Sequence, residues 1–131
     1  MSDTTTINVS TGGGQIVGSR EMQEDAFLIK NTDGTDAATK STLLIVADGV
    51  GGQYGGNLAS RLVVKLFSEE IAAQLASSTE RPARDMLFAA LQRANRTMAA
   101  AKIRNPKLQP MSSTLVAAIV SDDKLWCECW R

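Results

Sequence analysis

The segment from Leu43 to Ser60, LLIVADGVGGQYGGNLAS, constrains the fold of this chain more than any other part of it. It begins with five apolar residues, Leu43–Ala47, which end abruptly at Asp48. Glycines follow at positions 49, 51, 52, 55 and 56, and from Asn57 the apolar residues take the spacing of a helix. A short apolar run bounded by turn residues is typical of a strand that is buried on both faces. The segment therefore predicts a buried strand, a glycine-rich turn and a helix, with a carboxylate at the turn.

Asp48 stands where a carboxylate can serve metal or phosphate chemistry, because a strand end holds its side chain rigidly and glycines let a ligand approach the backbone. The structural alternative is that Asp48 only caps free amides at the start of the helix. A second acidic group upstream, Glu24 and Asp25 at the start of a predicted strand, favours the first interpretation. Arg20 is near enough in sequence to reach the same corner, although it could equally form a surface ion pair with Glu21 or Glu24.

Composition excludes several classes of function. At 131 residues the chain makes one domain at most. Its 14 acidic and 14 basic residues cancel, so we expect neither nucleic acid nor an anionic membrane as a partner. No apolar run approaches the roughly 20 residues of a transmembrane helix, and the polar N-terminus does not look like a signal peptide, so we expect a cytoplasmic protein.

Histidine is absent, which excludes histidine zinc sites and nucleophiles activated by a histidine base. The two cysteines, Cys127 and Cys129, are one residue apart and make a poor disulfide and half a metal site at best. If the chain belongs to a hydrolase, carboxylates, metal ions and water must therefore carry out the chemistry.

The remaining pattern predicts strands before and after two consecutive long helices. Strands that follow one another directly favour antiparallel pairing, and the helix pair would then cover one face of the sheet. The predicted elements, in order, are a hairpin of Thr5–Val9 and Gln15–Val17 across Gly12–Gly14, a strand at Ala26–Ile29, a loop at Asn31–Ser41, the strand of the glycine-rich segment, a helix from Asn57 to about Ala76, a helix from about Pro82 to Arg104, a strand at Met111–Val120 and a further strand from Leu125.

Three segments carry a resemblance when they are taken together. They are REMQED at Arg20–Asp25, VADGVGG at Val46–Gly52 followed by Gly56 and Ala59–Ser60, and MSSTLV at Met111–Val116. In order and spacing they resemble the metal-dependent protein phosphatase family (PPM, the type 2C serine/threonine phosphatases) in its bacterial form. The chain departs from the family pattern at Gln53, Asn57 and Ser112, where histidine, glutamate and glycine are common, and none of these positions is expected to bind metal.

The resemblance implies an α+β fold, a four-layer αββα sandwich of two antiparallel sheets, with only the N-terminal part and one helix pair present here. It also implies a site for two Mg²⁺ or Mn²⁺ ions. By position, Asp48 would bridge both ions, the Gly49 carbonyl would bind one, and Asp25 would hold metal-bound waters with Glu24 beside it. Arg20 would bind the phosphate of the substrate. Oxygen ligands suit these ions, and an arginine suits phosphate.

The family domain is considerably longer than this chain, so residues 1–13 are interpreted as a polar N-terminal segment that includes a first strand, and residues 14–131 as the N-terminal part of a phosphatase domain that ends prematurely. The aspartates that complete the family's metal site lie in Asp-Gly and Asp-Asn segments, which are missing after residue 60. The last residues, Cys127–Arg131, can be encoded by the codons TGC GAA TGT TGG CGA. When the reading frame is shifted by one base, the same DNA sequence encodes Ala-Asn-Val-Gly, which is the sequence that the family has at this point. We hypothesise that the chain is a frameshifted, prematurely ended product of a phosphatase gene. The alternative is that it ends in an unusual last strand whose two cysteines are incidental.

The function expected from the resemblance is hydrolysis of phosphoserine or phosphothreonine in a protein by a metal-activated water, with a cognate kinase or its targets as partner. We expect this chain alone to be weakly active or inactive. The alternative is a non-catalytic phosphatase-like binding or regulatory module. A nucleotide-binding loop at Gly49–Gly56 is disfavoured, because the loop lacks a Gly-Lys-Ser/Thr ending and a GxGxxG in register with the strand end.

Overall fold

A computed structural model describes residues 8–33, 40–77, 81–121 and 124–131 of the chain. These residues confirm the predicted α+β class, with strands on both sides of a helix pair in the sequence. The elements are β1 (Asp25–Asp33), β2 (Lys40–Val50), α1 (Gly52–Ala76), α2 (Ala83–Arg104), a short 3₁₀ helix (Pro106–Leu108), β3 (Ser112–Ser113), β4 (Leu115–Ser121) and β5 (Lys124–Trp130). None of the helices in these ranges is long and apolar enough to cross a membrane.

The strands form one antiparallel sheet in the order β1-β2-β4-β5, and the two residues of β3 pair with the end of β2. Asp25 of β1 lies opposite Asp48 of β2, and Val46 of β2 lies opposite Val116 of β4. Both β1 and β2 extend into the predicted loop at Asn31–Ser41, where the Thr42 hydroxyl donates a hydrogen bond to Asn31 Oδ1 at 3.0 Å. The loop prediction is therefore wrong at both of its ends, because the ladder continues through polar residues.

The predicted N-terminal hairpin is wrong for its second strand. Residues 8–17 have no regular secondary structure and are exposed, whereas Thr5 and Ile7 lie outside the described residues. Three consecutive glycines contribute no side chains to a sheet and lose much conformational entropy when they are fixed. The segment instead passes close to β1, and a Cβ on Gly13 would lie 2.6 Å from the Phe27 ring.

The helix pair packs on one face of the sheet and encloses the core. Along α1 the buried side chains recur every four residues, as expected for a helix that faces a sheet. They are Ala59, Val63, Phe67 and Ile71, which meet Leu43, Ile45 and Ala47 of β2 and Leu115, Ala117 and Ile119 of β4. In α2 the buried residues lie on the side toward the core, and the methionines Met86 and Met98 are core residues.

Helix α1 begins at Gly52 and not at Asn57, so the glycine-rich segment is shorter as a turn than predicted. Gly55 and Gly56 in its first turn lack side chains, so their backbone can lie directly against the end of β2. The Gly55 N–H donates to the Gly51 carbonyl at 3.2 Å, and both Gly55 and Gly56 are buried. Packing of the backbone against the strand thus outweighs the low helix propensity of glycine.

The opposite face of the sheet, which we call the outer face, is apolar but not covered. Along β2 the inner residues Leu43 and Ile45 are each 1% exposed, whereas Val46 on the outer face is 57% exposed. The prediction that this strand is buried on both faces is therefore wrong for the described chain. The other outer-face side chains are also mainly apolar, and they include Phe27, Ile29, Leu44, Val116, Ala118, Leu125, Cys127 and Cys129.

Candidate functional site

The strand register brings Asp25 and Asp48 directly opposite one another at one end of the β1–β2 ladder. Asp25 is the first residue of β1, and Asp48 lies two residues before the end of β2 at Val50. Their neighbours Ala26 and Ala47 also pair and point to the helix side, so both aspartates belong to the outer face. Opposite residues of an antiparallel pair have Cβ atoms about 4.5–5.5 Å apart, so the two carboxyl groups meet at an accessible corner.

The surroundings of Asp25 disfavour the charged form of its carboxyl group. Partial desolvation raises the pKa of Asp25, and the adjacent Asp48 raises it further through like-charge repulsion and a hydrogen bond between the two side chains. Arg20 lowers the pKa of Asp25, and Glu24 raises it, but both effects are smaller than that of Asp48. Without a cation, therefore, the folded chain holds Asp25 against an electrostatic cost.

Asp48 is fixed by the residues that open β4. Its N–H donates to Thr114 Oγ1 at 3.1 Å, and its carbonyl oxygen accepts from the Thr114 N–H at 2.9 Å. The same carbonyl accepts from the Ser113 hydroxyl at 3.2 Å. This positioning role of Ser113 and Thr114 was not predicted from the sequence, although hydroxyl side chains just before an apolar strand are a signal that could have shown it.

Gly49 lies where β2, the start of β1 and the first turn of α1 converge. Its N–H donates to the Glu24 carbonyl at 3.1 Å. A Cβ at this position would overlap the Gly56 carbonyl oxygen and would lie 2.9 Å from the Glu24 carbonyl oxygen. Only glycine therefore allows the three segments to pack this closely, and the role of the Gly49 carbonyl as a metal ligand stays a prediction.

The Glu24 carboxylate lies toward α1 and Arg20. Arg20 Nη1 is 3.4 Å from Glu24 Oε2, and a Cβ on Gly56 would lie 2.6 Å from Glu24 Oε1. The Arg20 side chain is 70% exposed, so this ion pair is of the weak surface kind. The surface pair that the sequence left open is thus present, and phosphate binding by Arg20 stays a prediction, as does metal binding by Glu24.

The donor set fits a hard divalent cation in part. Two carboxylates converge without a fixed cation beside them, and oxygen ligands are those that Mg²⁺ and Mn²⁺ prefer. However, in the ranges that the structure describes, no three histidine, cysteine or carboxylate side chains come close enough to hold a metal ion together. The corner therefore brings together Asp25 and Asp48, two of the predicted metal ligands, and their binding of metal stays a prediction.

Comparison with known proteins finds a family and solved structures that the chain resembles. Residues 13–128 match the family described as Protein phosphatase 2C. A curated relative, serine/threonine phosphatase stp of Listeria innocua, is 31% identical over 86 residues, which cover 66% of this chain and 34% of the relative. The chain thus spans about a third of the length of this relative.

Two solved structures share the fold. The serine/threonine phosphatase PstP/Ppp of Mycobacterium tuberculosis aligns with a TM-score of 0.59 and 23% identity, over 81% of this chain and 46% of that chain. Serine/threonine phosphatase Stp1 of Staphylococcus aureus aligns with a TM-score of 0.56 and 23% identity, over 77% of this chain and 37% of that one. The sheet and helix pair described above are therefore an arrangement that these larger proteins contain.

Proposed function

The chain belongs to the protein phosphatase 2C family, and on that premise we propose that it carries the first part of a site for metal-dependent hydrolysis of phosphoserine or phosphothreonine in proteins. The observation that supports the proposal most directly is the pairing of Asp25 with Asp48 at an exposed corner. Like charges placed opposite one another in a sheet destabilise it, and a bound cation would offset that repulsion. The chemical class of the substrate comes from the family and from the name of the Listeria relative.

In this proposal Asp48 and Asp25 hold Mg²⁺ or Mn²⁺, with the Gly49 carbonyl as a further oxygen donor and Glu24 beside them. When bound, two such ions lower the pKa of a water that can attack phosphorus. The chain's own contribution is rigidity. Thr114 and Ser113 fix the backbone of Asp48, and the contact of Gly49 with α1 fixes the direction in which the strand ends.

Arg20 is proposed to bind the phosphate of the substrate. Its guanidinium now contacts Glu24 at 3.4 Å from a largely exposed position. Because exposed ion pairs contribute little to stability, Arg20 can exchange Glu24 for a phosphate oxygen at small cost. Its position on the segment that leads into Asp25 keeps the positive charge within the field of the two aspartates, as its effect on the pKa of Asp25 indicates.

We expect this chain alone to have little or no hydrolytic activity. It spans about a third of the Listeria relative, and its described residues bring together only two carboxylates. Mg²⁺ bound by so few protein ligands keeps most of its waters and binds weakly. A phosphoprotein substrate, a cognate kinase or its targets as partner, and a cytoplasmic location are parts of the same proposal, which includes neither nucleic acid nor a membrane as partner.

Titration calorimetry with Mn²⁺ tests the proposal. We expect weak binding by the unchanged chain and its loss in Asp48→Asn, whereas Asp85→Asn, a change at an exposed aspartate in the first turn of α2, should leave binding unchanged. Binding that Asp48→Asn does not affect would contradict the metal site. Strong Mn²⁺-dependent hydrolysis of a phosphothreonine peptide, abolished by Asp48→Ala, would instead contradict the expected low activity.

The second candidate is a non-catalytic binding or regulatory module that keeps the phosphatase fold. It is favoured because, in the described ranges, no three carboxylate, cysteine or histidine side chains lie close enough to hold a metal ion together. The same calorimetry separates the two candidates, because a module of this kind takes up no Mn²⁺ through Asp48.

A further inference from the structure

The two cysteines lie side by side on the outer face of the last strand. Cys127 pairs with Ala118 and Cys129 with Val116 across the β4–β5 ladder. Both cysteines are exposed and free, whereas Glu128 between them belongs to the helix side of the strand. Strand β5 is the last in the sheet order, so the pair stands at the edge opposite β1 and far in the sheet from Asp25.

The strand geometry prevents these thiols from bonding to each other. Residues two apart in a strand are separated by about 6.7 Å and their Cβ atoms point the same way, so the Cβ atoms are also about 6.7 Å apart. A disulfide needs a Cβ separation of about 3.8 Å. A disulfide between Cys127 and Cys129 would therefore require β5 to bend out of its ladder with β4, and in the folded chain both thiols are free.

We propose that Cys127 and Cys129 form a two-thiolate site for a soft monovalent cation, Cu(I). Two metal–thiolate bonds in line, each about 2.3 Å as in zinc sites, span about 4.6 Å between the sulfurs. Sulfur atoms on Cβ atoms about 6.7 Å apart reach that separation when each leans about 1 Å toward the other. The extended strand thus provides the spacing that a linear two-coordinate ion requires.

The surroundings select a soft ion with few ligands. Thiolates prefer Cu(I) to hard ions such as Mg²⁺, and the outer-face neighbours Val116, Ala118 and Leu125 offer no oxygen or nitrogen side-chain donor. Structural zinc takes four protein ligands, and the described residues contain no cluster of even three. A closed-shell d¹⁰ ion that is satisfied by two collinear thiolates fits the pair.

Binding is a proton-releasing ligand exchange with no change of oxidation state. Cu(I) replaces the two thiol protons, so that Cu⁺ and two thiol groups give a bis(thiolate) complex of charge −1 and two protons. The site stands apart from the aspartate corner in position and in chemistry. Oxygen donors at one edge of the sheet would take hard divalent ions, while sulfur donors at the other edge take Cu(I).

Anaerobic titration of the chain with Cu(I), in competition with a chromophoric Cu(I) chelator, tests the proposal. We expect one Cu(I) per chain. Cys127→Ser or Cys129→Ser should each lower the affinity by about 100-fold or more, because two linked ligands gain about 10²–10⁴ over one. Far-UV circular dichroism checks that each variant keeps its fold.

A variant with two thiols on opposite faces provides the matched control. Glu128→Cys combined with Cys129→Ser restores the number of cysteines but places them on the two sides of β5, so we expect it not to recover the affinity. The proposal would be overturned if either single serine variant bound Cu(I) as tightly as the unchanged chain, or if this double variant recovered that affinity. It would also be overturned if sedimentation showed that two chains are needed to bind one Cu(I).

Discussion

Among the glycines that the structure describes, Gly49 is the one whose replacement by alanine should be most damaging. The added Cβ would overlap the Gly56 carbonyl oxygen and would lie 2.5 Å from the Gly56 carbonyl carbon. It would also lie 2.9 Å from the Glu24 carbonyl oxygen. All of these atoms belong to the backbone, so no side-chain rotation can relieve the overlap.

The magnitude follows from what must move. Ordinary contacts between carbon atoms are about 3.5–4.0 Å, so the first turn of α1 would have to shift by about 1 Å or more. Overpacking of this kind costs about 1–3 kcal/mol, and loss of the hydrogen bond from Gly49 to Glu24 adds about 1 kcal/mol. We therefore expect the free energy of unfolding to fall by about 2–4 kcal/mol, a large part of the 5–15 kcal/mol that is typical of a domain.

Gly55→Ala is the matched control, because Gly55 lies in α1, the helix whose first turn packs against Gly49. A Cβ on Gly55 would have Met111 as its nearest neighbour at 3.6 Å, which is an ordinary contact. Alanine in a helix is favoured over glycine by about 0.5–1 kcal/mol, so this variant should be as stable as the unchanged chain or more so. Urea unfolding can be followed by tryptophan fluorescence, since the Trp130 ring lies 5.8 Å from that of Phe67 in the core. A Gly49→Ala variant within about 0.5 kcal/mol of the unchanged chain would refute the reasoning, because surface substitutions without a steric conflict fall in that range.

Three further predictions concern the site and the sheet. Thr114→Val should lower the free energy of unfolding by about 1–2 kcal/mol, because the Asp48 N–H loses its acceptor, whereas Thr114→Ser should keep most of it; equal values for the two variants would contradict the role of the hydroxyl. Because the pKa of Asp25 is raised above 3.8 on folding, the metal-free folded chain binds more protons than the unfolded chain in that window, so its stability should fall as the pH rises from about 3.8 through the folded pKa; urea midpoints measured across this range should lose that fall in Asp25→Asn. Val46→Lys on the outer face should reduce binding of the dye ANS and aggregation without changing the unfolding midpoint, whereas Ile45→Lys on the inner face should unfold the chain; similar effects of both would contradict the assignment of faces.

The strand, turn and helix around Asp48 could be predicted because their signals are local. A short apolar run, a cluster of glycines and a stripe of apolar residues four apart each report on neighbours in sequence. The same signals place Asp25 at the start of a strand. Once β1 and β2 are adjacent and antiparallel, their ends meet, and the two aspartates come together as the sequence suggested.

The contacts that fix Asp48 could not be predicted in the same way. Thr114 is 66 positions away along the chain and reaches Asp48 only because β4 pairs with β2 beyond both helices. The predicted start of α1 is also wrong. Glycines indicate a turn, but here the end of β2 lies close enough for the glycine backbone to pack against it, and this packing stabilises a helix. In both cases tertiary packing decides the local structure, and local patterns carry no information about it.

The burial of β2 shows the same limit in another form. Its continuous apolar sequence predicts cover on both faces, and on the helix side that cover exists, with Leu43 and Ile45 almost wholly buried. On the other side Val46 is more than half exposed. The sequence of a strand records which surfaces it is suited to bury, whereas the structure of a chain shows which surfaces that chain can cover by itself.

If the proposed function is correct, the aspartate corner is an arrangement that favours a bound cation over the stability of the metal-free chain. Asp25 and Asp48 repel one another, yet the contacts around them keep them together: Thr114 and Ser113 hold the Asp48 backbone, and Gly49 accepts a packing that no other residue allows. An asparagine at either position would remove the repulsion and keep the strand pairing. A divalent cation between the carboxylates reverses the sign of their interaction, because each then contacts opposite charge. Proteins keep destabilising arrangements of this kind mainly where function needs them, and two carboxylates that are rigidly placed at an accessible corner are what the proposed phosphatase chemistry requires.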